Sequence, residues 1–236
     1  MQTTATEISA TLRAISDPSI AEHSQRFFKT GKGQYAEGDK FLGIRVPKIR
    51  QQVKKFKSVA ISEILILLKS SFHEERLFAL IALIEKYSKG DDAIKNQIYE
   101  LYLGHIKYIN NWDLVDSSAN QIAGLHLYDK DRQPLYTLAE SDNLWARRIA
   151  IIATFYFIKQ NDFTDTTRIS AILLNDQHDL IHKAVGWMLR EVGKRNLAVE
   201  EQFLQKHYKN MPRTMLRYAI EKFDEETRQA YLKGVI

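Results

Sequence analysis

The sequence predicts an all-α protein built as a stack of helical pairs, and three observations predict it. Glycine and proline, the residues that punctuate strand-rich chains, number only 10 and 4 in 236 residues. Apolar residues recur at three- and four-residue steps almost throughout, as in ISEILILLKS (Ile61–Ser70) and RLFALIALIEKY (Arg76–Tyr87). Five segments also align on Ala79, Val115, Ala150, Ala184 and Ala219, at successive spacings of 36, 35, 34 and 35 residues. A period of that size made of helix pairs is the signature of an α-solenoid. The Trp, Gly and Tyr pattern of a tetratricopeptide repeat is missing, so HEAT-like repeats are expected. Such stacks curve, and a curved stack offers a concave surface suited to a long ligand.

Taken in order, the chain reads as one domain over residues 1–236, with capping helices and a glycine-rich loop in about 1–46 and repeats over about 47–236. The opening stretch MQTTATEISATLRAI lacks a basic segment followed by an apolar one, and no apolar run approaches the roughly 20 residues that span a bilayer. A cytoplasmic protein without a membrane partner is expected. The stretch TGKGQYAEGDKFLGIRV (Thr30–Val46) places four glycines between two helices, and loops of that length in compact chains are more often functional than idle. Next, RVPKIRQQVKKFK (Arg45–Lys57) is the densest basic stretch and reads as a helix opened by Pro47. Lys+Arg exceed Asp+Glu by 34 to 29, a net charge of +5 that suits nucleic acid without requiring it. The absence of cysteine excludes disulfide scaffolds, thiol nucleophiles and thiolate metal sites.

The repeat supplies its own internal control. One residue after the anchor the five segments read Leu80, Asp116, Ile151, Val185 and Ile220, so an aspartate interrupts an aliphatic phase. Two and three residues before the anchor, arginine recurs at Arg76, Arg147, Arg148 and Arg217. Three residues after it, Trp187 is a bulky intrusion among Ala82, Ser118, Ala153 and Lys222. In INNWDLVDSSANQIAGLHL (Ile109–Leu127), Trp112 and Asp116 are four apart and share one helix face. A first-turn carboxylate can simply meet free N–H groups and the helix dipole. Asp113 is the expected capping residue, which leaves Asp116, beside Trp112, to stabilise a developing cation.

Arg148 reads either as a solvated helix arginine or as a phosphate contact suited to its planar guanidinium, and Trp187 taken alone reads as core packing. The pair His178 and His182 in HDLIH has metal-ligand spacing but no evident third ligand, so no metal is expected. A phosphate-binding Walker loop, a GxSxG elbow and a dinucleotide fingerprint are all missing from the sequence. Carboxylate-driven sugar hydrolysis on Asp113 and Asp116 is a weak alternative, because a spacing of three does not turn both carboxylates to one substrate.

Five ordered blocks then resemble a known family: YAEGDKFLGIRVPKIR (Tyr35–Arg50), HEERLFAL (His73–Leu80), NWDLVD (Asn111–Asp116), DNLWARRIAI (Asp142–Ile151) and KAVGWMLREVGK (Lys183–Lys194). The chain resembles the DNA alkylation repair family of AlkD-type, HEAT-like DNA glycosylases over most of its length. The resemblance implies excision of cationic alkylated purines, chiefly N7-methylguanine and N3-methyladenine, from duplex DNA, without base flipping and leaving an abasic site. It implies that Asp116, Trp112 and Trp187 are catalytic, and that Arg148 and Tyr35 contact DNA. Lys183, Arg190 and Lys48 are further basic candidates for the DNA backbone. It implies a monomer that needs no cofactor and sits on the nucleoid when bound. Two alternatives stay open: a non-catalytic HEAT-repeat relative binding branched or damaged DNA, and a scaffold that binds an acidic protein.

Overall fold

The computed structural model describes residues 3–236, which are mostly helical and divide into two compact units between Ser118 and Ala119. Among the described residues the only extended pairing is a single bridge between Lys40 and Phe72. The anchors of the repeat, Ala79, Val115, Ala150, Ala184 and Ala219, are all 0% exposed. The periodicity therefore marks one buried phase, as a stack of helix pairs requires.

The first unit holds α1 (Ala5–Ala14), α2 (Pro18–Phe27), α3 (Val46–Lys55), α4 (Ile61–Leu68), α5 (His73–Lys89), α6 (Asp92–Gly104), a 3₁₀ turn (Ile106–Tyr108) and α7 (Trp112–Ser118). Its hub is α5, which packs against α3, α4, α6 and α7. Every residue from His73 to Leu83 is buried, so this helix has no solvent face along its first three turns. Local signals start the others. Thr4 caps α1, Asp17 caps α2 ahead of Pro18, Asp91 caps α6, and the expected Pro47 lies in the first turn of α3.

The loop between α2 and α3 is shaped by left-handed residues at Gly33, Gly38 and Gly43. At Gly43, φ is +78° and a Cβ would lie 2.0 Å from the Asp17 carbonyl oxygen, so two constraints demand glycine there. The same loop is tied to α5. Glu74, 3% exposed, accepts hydrogen bonds from the backbone N–H groups of Leu42 (2.8 Å), Gly43 (2.7 Å) and Ile44 (3.2 Å). A buried carboxylate is stabilised by such donors, and the loop by having its donors met.

The second unit begins with a π turn (Asn120–Gly124), whose Gly124 N–H reaches the Ala119 carbonyl at 2.9 Å. Then follow α8 (Leu125–Leu127), α9 (Gln133–Ala139), α10 (Leu144–Lys159), α11 (Thr164–Ile172), α12 (Asp179–Gly193), α13 (Leu197–His207), α14 (Arg213–Ala219) and α15 (Glu225–Lys233). The apolar helices α10 and α12 pack on each other, α10 also on the π turn and α9, and α12 on α14. Gly186 permits the last approach: a Cβ there would stand 2.4 Å from the Met215 carbonyl oxygen. That close seat fixes the turn of α12 that carries Trp187.

The arginines that recur before the anchor are structural clamps in two repeats. Arg76 donates to the Ser70 carbonyl and to Asp39. Arg147 does the same with the Ser141 carbonyl and Asp176. In both cases the guanidinium binds a carbonyl six residues upstream and a carboxylate from another segment, joining a helix to the loop before it.

Candidate functional site

The site in the first unit is built around the start of α7. Asn111, fully buried, accepts from the Trp112 backbone N–H at 2.8 Å. Trp112 is half-buried, and its indole stacks on Phe28 with centroids 5.4 Å apart, with Phe27 edge-on at 6.0 Å. Phe28 stacks in turn on Phe41, and Phe41 on His73 at 4.7 Å. Trp112, Phe28 just after α2, Phe41 of the glycine-rich loop and His73 of α5 thus form one pile that sets the angle of Trp112.

A row of alternating charges runs along the same wall. Arg76 Nη2 is 2.8 Å from Asp39, Asp39 is 3.6 Å from His73 Nδ1, and His73 Nε2 is 2.7 Å from Asp113. Burial works against a charged His73, but Asp113 and Asp39 outweigh it and push the imidazole up to about 9. Burial likewise opposes the Asp39 carboxylate, and His73 and Arg76 still hold it below the ordinary aspartate range. Two cations and two carboxylates therefore balance in the interior, where a single unpaired charge would be very costly. The role expected of Asp113 changes accordingly. It sits inside the first turn of α7, accepts from the adjacent Leu114 N–H, and clamps α7 to α5 through His73, while the capping position falls to Asn111.

Asp116 lies one turn further along α7. At its repeat position Leu80, Ile151, Val185 and Ile220 are all 0% exposed, whereas Asp116 is half-buried. The interruption seen in sequence is thus a real opening in the buried phase. Below it, Tyr102 hydrogen bonds with Ser118 at 2.9 Å; burial raises the phenol, and the nearby Asp116 charge raises it further. Tyr35 is half-buried in the glycine-rich loop, and Lys48 is exposed on α3.

The second unit holds the other expected residues. Trp187 is half-buried on α12, donates from Nε1 to Glu191 at 3.1 Å and leans on Phe155, with centroids 5.9 Å apart. Lys159 stands over the Phe155 ring at 4.2 Å, and Lys194 pairs with Glu191 at 2.6 Å. Trp187 is therefore neither core nor bare surface but one wall of an aromatic and charged cluster. Arg148 is only 5% exposed and donates to the Leu180 carbonyl at the start of α12, so it is not a solvated helix arginine. Lys183 pairs with Asp179 at 2.7 Å and Arg190 with Glu221, so any phosphate they bind must displace a carboxylate. His178 accepts from the Leu180 N–H as the cap of α12, and His182 bonds the Asp176 carbonyl, which gives the HDLIH pair a structural account.

Reasoning from residue types missed His73, Asp39 and the Phe27–Phe28 pair. His73 carries a usable signal, because it opens HEERLFALIALI, whose first four residues are charged or titratable yet begin a helix that continues as an apolar run. The two phenylalanines carry none, since nothing local links them to Trp112.

An all-helical repeat with a carboxylate and a tryptophan displayed on one face of a short helix is the class that fold and site define. The model of the family described as DNA alkylation repair enzyme matches residues 8–223. The chain belongs to that family, and with it to the enzymes of DNA repair, whose substrate is DNA. Among solved structures the chain is similar to a predicted DNA alkylation repair enzyme from Enterococcus faecalis, at 16% identity and a TM-score of 0.69. That similarity covers 89% of this chain and 97% of the other, and it supports the fold. None of the curated proteins compared with the chain matches it.

Proposed function

We propose that the chain is a monofunctional DNA glycosylase that hydrolyses the N-glycosidic bond of cationic alkylated purines in duplex DNA. One observation carries this reading. Asp116 is the half-buried carboxylate in a phase that is otherwise aliphatic and fully buried, one helical turn from a tryptophan held by stacking on Phe28. A fold that needed only packing would have placed an aliphatic residue there.

The chemistry asks little beyond such a group. In N7-methylguanine and N3-methyladenine the base already carries positive charge, so breaking the bond from C1′ to N9 releases a neutral base and leaves the cation on the sugar. The Asp116 carboxylate stabilises that oxocarbenium-like sugar as it forms and orients the water whose oxygen joins C1′. The water gives up one proton to the surrounding solvent, and the product is an abasic site. A fixed negative charge in a partly desolvated setting is worth more than the same charge in water, and more for the transition state than for the neutral sugar of the substrate. The π-faces of Trp112 and Trp187 attract the electron-poor sugar and the cationic lesion.

In this reading lesion choice follows from the lability of the cationic nucleoside, so no base-specific pocket and no flipping of the base are required. Arg148, Tyr35, Lys183, Arg190 and Lys48 contact the DNA backbone. The reaction uses no cofactor and no metal, the protein acts as a monomer, and its place is the cytoplasm and nucleoid.

The test is single-turnover release of N7-methylguanine from a duplex oligonucleotide by the wild type and by Asp116→Asn, with DNA affinity measured in parallel. The variant is expected to bind normally and to react more slowly by roughly a hundredfold or more, as when other transition-state stabilisers are removed. Binding of duplex or branched DNA by the wild type without release of any base would replace this reading with that of a non-catalytic DNA-binding relative.

A further inference from the structure

The first unit carries a cavity that the DNA chemistry does not use. It is about 580 Å³ in volume, within the range of small-molecule sites. Its floor is Val53, Phe56, Val59, Ile61, Ala82 and Ile94, from α3, α4, α5, α6 and the segment between α3 and α4. Its rim carries Lys54, Lys57, Lys86 and Lys89 with a single acid, Glu85. Glu85 is engaged by Lys89 at 2.9 Å, and among the described residues no ion pair engages Lys54, Lys57 or Lys86.

Lysines in the last turn of a helix offset the negative end of its dipole, and Lys54, Lys86 and Lys89 lie in the last turns of α3 and α5. That accounts for cations at each helix end. It does not account for two helix ends delivering their cations around one apolar hollow, with Lys57 added from beyond α3.

The floor offers side chains without a hydrogen-bonding group, which leaves a sugar or a heteroaromatic ring nothing to orient it and a hydrocarbon everything it needs. The rim supplies ammonium donors in excess over acceptors, which selects an anionic head. Ammonium groups on flexible stems act as point charges, in contrast to the bidentate fork of arginine, so one compact carboxylate suits them.

We propose that this cavity binds a medium-chain alkyl carboxylate, tail on the aliphatic floor and head among Lys54, Lys57 and Lys86. Tail and head contribute separately: the tail through apolar area removed from water, the head through charge that also sets orientation.

The experiment titrates the full chain with sodium dodecanoate below its micelle-forming concentration, followed by calorimetry and by NMR of labelled methyl groups. Dodecyltrimethylammonium tests the sign of the head, and acetate tests the need for a tail. Dodecanoate is expected to bind with magnetisation transfer to the methyls of Val53, Val59, Ile61 and Ile94, the cation to bind at least about tenfold more weakly, and acetate not to register. The pair Lys54→Glu and Lys57→Glu, both on exposed side chains, is expected to weaken dodecanoate at least about tenfold while the folded spectrum is retained. Equal binding of the two head-group signs, methyl contacts elsewhere on the protein, or no binding of dodecanoate would each overturn the assignment.

Discussion

A buried imidazole between two carboxylates makes pH the clearest handle at the scale of single residues. Folding raises His73 from the ordinary 6.5 to about 9, so the folded state binds its proton more tightly than the unfolded chain. Its contribution is complete below 6.5 and is lost as pH rises through 9. Glu200 behaves alike for a different reason: burial, with Glu201 nearby, lifts its carboxyl from 4.5 to about 8, so ionising it across that interval costs stability. Both groups make the protein less stable as pH rises. Urea unfolding midpoints measured between pH 5 and 9 are expected to fall, with Glu200→Gln flattening the lower part of the curve and His73→Gln the upper part. A midpoint that rises over this interval would refute both assignments.

Among the elements, the glycine-rich loop shows how a helix and its neighbour are held in register. Glu74 gathers three loop N–H groups, and Gly43 lies against Asp17 in a backbone conformation that a side chain resists. Gly33 has a similar φ of +75°, but a Cβ there would meet nothing within 4 Å. Gly33→Ala is therefore expected to cost about 1 kcal/mol, the price of left-handed backbone alone. Gly43→Ala adds a clash with backbone and is expected to cost roughly 2 kcal/mol more. Chemical denaturation of the two variants checks this, and equal losses would mean that the approach to Asp17 relaxes freely. The loop also supplies Phe41 to the stack that ends on Trp112, so its geometry reaches the candidate site.

On the scale of the whole molecule, the net charge of +5 and the DNA substrate of the family combine into a prediction about salt. Each phosphate neutralised by a lysine or arginine releases counterions, so affinity falls as a power of salt concentration. Duplex binding measured by fluorescence anisotropy is expected to drop by roughly a hundredfold between about 50 and 200 mM salt, the loss that about four phosphate contacts produce. A flat dependence would favour the scaffold that recognises a protein. The helical fold and its period were legible throughout, because every repeat must present the same apolar phase to its neighbours. Asp116 was legible too, as an exception within that phase. Asp113 was misread, and the partners of Arg76 and Arg147 were not legible, because a charged residue in a helix looks the same in sequence whether water or a buried partner receives it.

The sequence by itself determined the helical class, the positions of the repeat anchors, the proline opening α3 and the places where Asp116 and Trp187 break the pattern. These follow from local propensity and periodicity, which act over a few residues. Only the tertiary structure decided that His73 and Asp113 form one clamp across 40 residues, that Phe28 stacks on Trp112 across 84, and that four lysines ring one hollow. Such contacts carry no local signature, because their energy exists only once distant segments have been packed together and the water between them removed.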